Sequence, residues 1–225
     1  MSLFPPLWLN GRVIRAILFD LDNTLYPASS GLDREIDRRM TMFTARYLGI
    51  PEKEAHVLRK TDARVYGTTL QWLIEVYGFH DIEEYILEVH PPNVSSFLSF
   101  NPKLPEMLSE LPYPKAILTN SPLEHAERVL ECLKVRSYFD SVLDIRFNQF
   151  RGKPYPEAYH RAISLLGAPI EEVLFVDDLP PYLTAFKALG GQPLLVDEEG
   201  KYTDVGIPSI PTVLDLPRYL EKILS

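Results

Sequence analysis

The chain has 225 residues, 46% hydrophobic and 24% charged, a globular composition rather than a disordered one, and enough length to bury one sizeable core with or without a smaller inserted unit. The 23 Lys and Arg against 31 Asp and Glu give a net charge of −8, which argues against nucleic acid and an anionic membrane surface as partners. The single cysteine, Cys132, excludes an intramolecular disulfide and a multi-cysteine zinc site, and it fits a reducing, cytoplasmic setting. No run of 18 apolar residues suggests a membrane span, and Met1 to Asn10, with Pro5-Pro6 in its middle, does not read as a secretory signal.

The first element in chain order is the apolar run from Val13 to Phe19. It ends in Asp20-Leu21-Asp22-Asn23-Thr24 and reads as a buried strand opening into a polar loop. A different pattern follows over residues 28–100. Leu32, Ile36, Met40, Phe43 and Tyr47 share one helical face, stopped by Gly49 and Pro51. Leu70, Leu73, Ile74 and Tyr77 form a second stripe, stopped by Gly78. Asp81 then has the character of an N-cap for a third helix carrying Ile82, Tyr85, Ile86 and Val89. The later part alternates. Strands are expected at Lys115–Leu118, Val173–Val176 and Pro193–Val196, with a weaker one at Ser141–Ile145. Helices are expected at Pro122–Leu133, Pro156–Leu166 and Tyr182–Leu189. This predicts an α/β, doubly wound (Rossmann-like) parallel sheet as the core, residues 1–27 and 101–225, with a helical unit at 28–100 inserted after the first strand.

Polar residues sit where such a sheet gathers its chemistry, just past strand ends. Asp20 and Asp22 place two carboxylates two residues apart, suited to a nucleophile or metal ligand and a proton donor, or simply to a turn. Thr119-Asn120 suits an anionic oxygen or a helix cap. Lys153, between Gly152 and Pro154, supplies a fixed positive charge or an exposed turn. Asp177-Asp178 repel each other unless a cation or proton is present; oxygen donors without histidine favour Mg²⁺, although acids also suit a helix N-terminus. Together, these groups describe phosphoryl transfer to a carboxylate. His56, His80, His90, His125 and His160 show no metal-ligand spacing and read as surface or packing residues. Cys132 and Trp72 read as core.

Asp20-Leu21-Asp22-Asn23-Thr24-Leu25, Leu118-Thr119-Asn120, Gly152-Lys153-Pro154 and Val176-Asp177-Asp178 resemble the four motifs of the haloacid dehalogenase superfamily. The insert between the first two motifs resembles that of the C1-capped members. Asp20 to Pro27, Tyr66 to Leu70 and Phe100-Asn101-Pro102 are similar to the pyrimidine 5′-nucleotidase subgroup. The resemblance implies an aspartyl-phosphate mechanism on a small phosphorylated metabolite. Asp20 would be the nucleophile and Asp22 the general acid and then base, with Thr119, Asn120 and Lys153 around the phosphoryl group. Mg²⁺ would be held by Asp20, the Asp22 main-chain carbonyl and Asp178, with Asp177 close by. The alternatives it leaves are a phosphatase for a sugar phosphate or phosphoglycolate and a phosphomutase. Leu179 and Tyr182 depart from the subgroup, which usually has Ser and Asn there, and they imply a rearranged outer metal shell.

Overall fold

The apolar run before Asp20 makes two strands rather than one. A hairpin pairs β1 (Leu7–Leu9) with β2 (Arg12–Ile14) antiparallel, and the chain continues directly into β3 (Ala16–Phe19). Arg15 causes the break: it is exposed, its N–H donates to Glu172 O at 2.7 Å, and its guanidinium pairs with the Glu172 carboxylate. The computed structural model describes residues 7–9 and 12–224, so the expectation for Met1 to Asn10 concerns a segment mostly outside the described residues.

Four helices follow, α1 (Leu32–Leu48), α2 (Glu52–Thr61), α3 (Thr69–Tyr77) and α4 (Ile82–Val89), and then α5 (Lys103–Glu110). The α/β alternation runs β4 (Lys115–Leu118), α6 (Leu123–Cys132), β5 (Ser141–Leu143), α7 (Pro156–Leu166), β6 (Val173–Asp177), α8 (Pro180–Ala188), β7 (Gln192–Val196), β8 (Ser209–Ile210) and α9 (Leu216–Leu224). Asp81 caps α4 as its position suggests, its side chain accepting from Glu84 N–H at 3.2 Å. Helix α8 begins earlier than expected, at Pro180-Pro181, since prolines suit first-turn positions that need no N–H donor.

Six strands form one parallel sheet in the order β5-β4-β3-β6-β7-β8. The chain winds outward from β3 to one edge, returns to the centre and winds to the other, which is the doubly wound arrangement; a crevice opens where the direction reverses, between β3 and β6. Both faces are covered. Ile17, Phe19, Leu174, Val176 and Leu194 share one apolar cluster with α5, α6 and α9, while Ala16, Leu18, Val173, Phe175 and Leu195 share another with α7 and α8.

The helices between β3 and β4 have an apolar cluster of their own around Phe43, Trp72, Leu73, Phe79 and Tyr85. Phe43 meets Tyr85 and Phe79 edge to face, with ring centroids 5.0 and 5.5 Å apart. Helix α2 turns only Ala55 and Leu58 inward as apolar residues, and the buried Arg59 beside them adds polar anchors. The Arg59 guanidinium donates to Thr41 Oγ1 at 2.6 Å and Asp37 O at 2.9 Å on α1, and to Thr69 Oγ1 at 3.2 Å on α3.

Candidate active site

Sheet register sets the two central acids side by side. Phe19 pairs with Val176, and Asp20 N–H donates to Val176 O at 2.8 Å, so Asp20 leaves β3 next to Asp177. Lys153, from the loop before α7, reaches both: its Nζ donates to Asp20 Oδ1 at 2.6 Å and to Asp177 Oδ2 at 2.7 Å. The rings of Tyr182 and Phe175 lie 5.0 and 5.4 Å from that ammonium. Tyr182 therefore helps to line the lysine's pocket.

Burial pushes the Asp20 carboxyl up to about 7, against the pull of Lys153. Burial opposes the charge on Lys153 too, but Asp177 and Asp20 outweigh it and hold the ammonium above its ordinary range. Asp178 is pushed well above the carboxylate range by burial, and then by Asp177 and Asp20. One ammonium thus faces three carboxylates. Oxygens of Asp20, Asp177 and Asp178 lie within 4.8 Å of one another. An excess of buried negative charge and an all-oxygen donor set fit a hard divalent cation.

The polar pair after β4 divides its work. Thr119 is buried, its N–H donates to Leu143 O at 3.0 Å, and its hydroxyl oxygen accepts from Ser121 N–H at 3.0 Å. Asn120 grips the lysine loop by its backbone: Oδ1 accepts from Lys153 N–H at 2.8 Å, and Nδ2 donates to Lys153 O at 2.8 Å and Tyr182 OH at 3.3 Å. Its side chain is thus engaged in placing Lys153. The Lys153-Pro154 peptide is cis.

Asp22 points to a different set of partners. Tyr26 OH at 2.6 Å, Ser121 Oγ at 2.6 Å and His125 Nε2 at 2.7 Å all bond its carboxylate. Burial opposes ionisation, yet His125, Ser121 and Tyr26 outweigh it and hold Asp22 well below the usual carboxylate range. His125 is therefore not the surface or packing residue that its spacing suggests: it is fully buried on α6, bonded to Asp22. His90, at the C-terminal end of α4, is buried as well, with its ring 5.0 Å from that of His125. Neither contact follows a local spacing. The available signal was a polar ring in the first turn of a helix that starts directly behind a strand-end motif.

A cavity of about 430 Å³ lies between the acids and the helical insert, which contributes Asp33, Met40, Lys60, Thr68, Thr69 and Tyr85 to its walls. Trp72 is 1% exposed in the core of the insert and is not among the lining residues. Gly67, at φ 81°, brings the insert onto the lysine loop: a Cβ there would lie 3.3 Å from Tyr155 and 3.5 Å from Lys153 O.

A doubly wound sheet with clustered acids and one buried lysine at its central strand ends defines an enzyme of the hydrolase type. The chain belongs to the haloacid dehalogenase-like hydrolases, whose sequence pattern matches residues 14–190. It is 26% identical over 179 residues to Phosphate metabolism protein 8 of Saccharomyces cerevisiae, covering 73% of this chain and spanning 56% of the yeast protein's length. It is 27% identical over 186 residues to a phosphoglycolate phosphatase of Photorhabdus laumondii, covering 79% of this chain and 77% of that one. In fold, it resembles a phosphatase of the same superfamily from Thermococcus onnurineus, with a TM-score of 0.64 at 20% identity over 92% of this chain and 98% of that one. Among the described residues, no helix is long and apolar enough to cross a membrane.

Proposed function

We propose that the protein is a Mg²⁺-dependent phosphomonoesterase. The observation that carries this is the Lys153 ammonium bridging Asp20 and Asp177 at adjacent strand ends, with Asp22 two residues further on. Asp20 attacks phosphorus; a new O–P bond forms as the ester P–O bond breaks, and Asp22, ionised before substrate enters, takes the proton that the monoester monoanion brings and passes it to the departing oxygen. A water then attacks the phosphorus, Asp22 takes its proton, and the Asp20–phosphorus bond opens to release inorganic phosphate. Lys153 and Thr119 stabilise the phosphoryl oxygens, and Asn120 keeps Lys153 in place. Asp20, Asp178 and the Asp22 main-chain carbonyl, with Asp177 close by, would hold Mg²⁺, which when bound offsets the charge of the phosphoryl group.

Residues 28–100 serve as a C1-type cap over a core of residues 1–27 and 101–225. The separate apolar cluster of the insert and the cavity beneath it support this division. The cap wall favours an uncharged leaving group. It presents Asp33, and its cations Arg59 and Lys60 are both paired with Asp37. Tyr85, Asn23, Thr68 and Thr69 add uncharged polar side chains to the cavity wall. A nucleoside monophosphate meets these demands, and the pyrimidine nucleotides UMP and CMP are the substrates expected. Phosphoglycolate is the second reading, supported by the name of the Photorhabdus relative.

Phosphate release should be measured as kcat/KM over UMP, CMP, AMP, GMP, glycerol phosphate and phosphoglycolate. Preference for UMP or CMP supports the nucleotide reading, and preference for phosphoglycolate or a sugar phosphate replaces it. Release from no monoester at all overturns the phosphatase.

A further inference from the structure

Asp22 is gripped unevenly. Its Oδ1 receives two hydrogen bonds, from Tyr26 OH at 2.6 Å and His125 Nε2 at 2.7 Å, while Oδ2 receives one, from Ser121 Oγ at 2.6 Å. Oδ1 only accepts, whether the carboxyl is ionised or carries a proton on Oδ2, so His125 Nε2 carries the hydrogen and donates it. His125 Nδ1 has no hydrogen-bond partner among the described residues, so the ring's one polar engagement there is with Asp22. The imidazole is held on two sides. It rides on α6 with no exposed surface, and the His90 ring packs against it, itself tied by Nδ1–H to Ile86 O at 3.0 Å. With Oδ1 occupied twice, Oδ2 is the oxygen with room for a transferable proton.

We propose that His125 is a positioning residue for Asp22: by fixing Oδ1 it aims Oδ2 at the leaving-group oxygen, and His90 of the helical insert braces the imidazole. This rests on the acid–base role of Asp22 proposed above. In the first half-reaction the proton passes from Oδ2 to the departing oxygen as the ester P–O bond breaks and the Asp20–phosphorus bond forms. In the second, water gives a proton to the same Oδ2 as its oxygen bonds phosphorus and the Asp20–phosphorus bond opens. Both halves need one oxygen in one place, and a displacement of about 1 Å can cost about 100-fold.

The test compares two substrates whose leaving groups need different help. 4-Nitrophenolate departs without a proton, whereas the alkoxide of glycerol 2-phosphate requires one. kcat/KM reports the step that expels the leaving group. In His125→Asn the amide is too short to reach Asp22, and the glycerol 2-phosphate to 4-nitrophenyl phosphate ratio of kcat/KM should fall about 10–100-fold. In His125→Gln, whose Nε2 can occupy the position of the imidazole Nε2, the ratio should return to within a few-fold of wild type. Both ratios are internal to one protein sample, so a loss of folded enzyme cancels. Equal loss on both substrates, or no change on either, overturns the positioning role. Asp22→Asn run alongside separates the two ideas: if it lowers the ratio and His125→Asn does not, only the role of His125 falls; if it leaves the ratio unchanged, the acid–base reading falls and this inference with it.

Discussion

Gly152 leaves no room beside Asn120: a Cβ at position 152 would lie 2.0 Å from Asn120 Oδ1 and 2.9 Å from its Cγ. The same Oδ1 holds the Lys153 N–H at 2.8 Å, so the glycine is what lets the amide reach the lysine backbone. Gly152→Ala and Asn120→Ala should each lower kcat/KM by about 10–100-fold, since Lys153 would be misplaced rather than lost. Removing Asn120 leaves only Ile145 Cδ1, 3.0 Å from such a Cβ and at the flexible end of its side chain, so the double variant should be little worse than Asn120→Ala alone. Additive losses in the double-mutant cycle would show that the two residues act separately.

Asp20 is the group whose loss no neighbour can replace. An amide cannot form the acyl phosphate, so Asp20→Asn should lower turnover by several orders of magnitude while the fold persists. Rapid quench with a radiolabelled monoester should trap label on the wild type and none on the variant. Labelled Asp20→Asn protein would move the nucleophile elsewhere.

The three crowded carboxylates predict a metal effect on stability as well as on rate. Adding Mg²⁺ should raise the melting temperature of the wild type and leave Asp178→Asn much less changed. EDTA should abolish phosphate release. Full activity after exhaustive chelation is the result that would falsify the metal requirement.

Lys153→Met strips the ammonium from two buried acids. Breaking a buried pair in this way costs about 3–5 kcal/mol, and Arg should not restore it, because a guanidinium does not match the compact pocket between Phe175 and Tyr182. Urea unfolding of the two variants measures this. Wild-type stability in Lys153→Arg would mean that the pocket tolerates a larger cation.

His90 should give a signature in acid. Burial, and then the neighbouring His125, push it down to about 3, whereas an unfolded chain holds histidine near its ordinary value of about 6.5. Asp22 pulls the other way and Arg128 adds to the fall. Below pH ~6.5 the unfolded chain binds a proton that the folded one refuses, so this group's contribution to stability falls as the pH drops from there toward 3. The loss is up to about 1.4 kcal/mol per pH unit. His90→Phe lacks the term, so the wild type should lose about 1 kcal/mol more than the variant between pH 7.5 and 5.5 in urea titrations. Parallel curves would place the titration elsewhere.

Five of the six strands, all but the two-residue β8, were legible because they are apolar runs ending in polar motifs, a pattern carried by neighbours in sequence. That is why Asp20, Thr119, Lys153, Asp177 and Asp178 could be picked out, and the fold does bring Asp20, Lys153, Asp177 and Asp178 into one cluster. What escaped depends on partners distant in sequence. Helix α2 is anchored largely by the bonds of Arg59 to α1 and α3, and Ala55 and Leu58 alone make too short an apolar period to read. The bond from His125 to Asp22 joins residues 103 apart, and no spacing in the sequence connects the two. The amide of Asn120 suited an anion on paper, but only the fold shows that its side chain is engaged with the backbone of Lys153.

The strand that carries Asp20 is made early and completed late. Its hydrogen-bonding neighbours are residues 115–117 on one side and 173–176 on the other. During synthesis on a ribosome, Asp20 emerges well before the strands that flank it and has no crevice to belong to until the chain has passed Asp178. The helices after it, with their own apolar cluster, can condense in the meantime from local contacts. The apolar strand Ala16–Phe19 must wait exposed beside them, and that interval is when a nascent chain would most need a chaperone's cover.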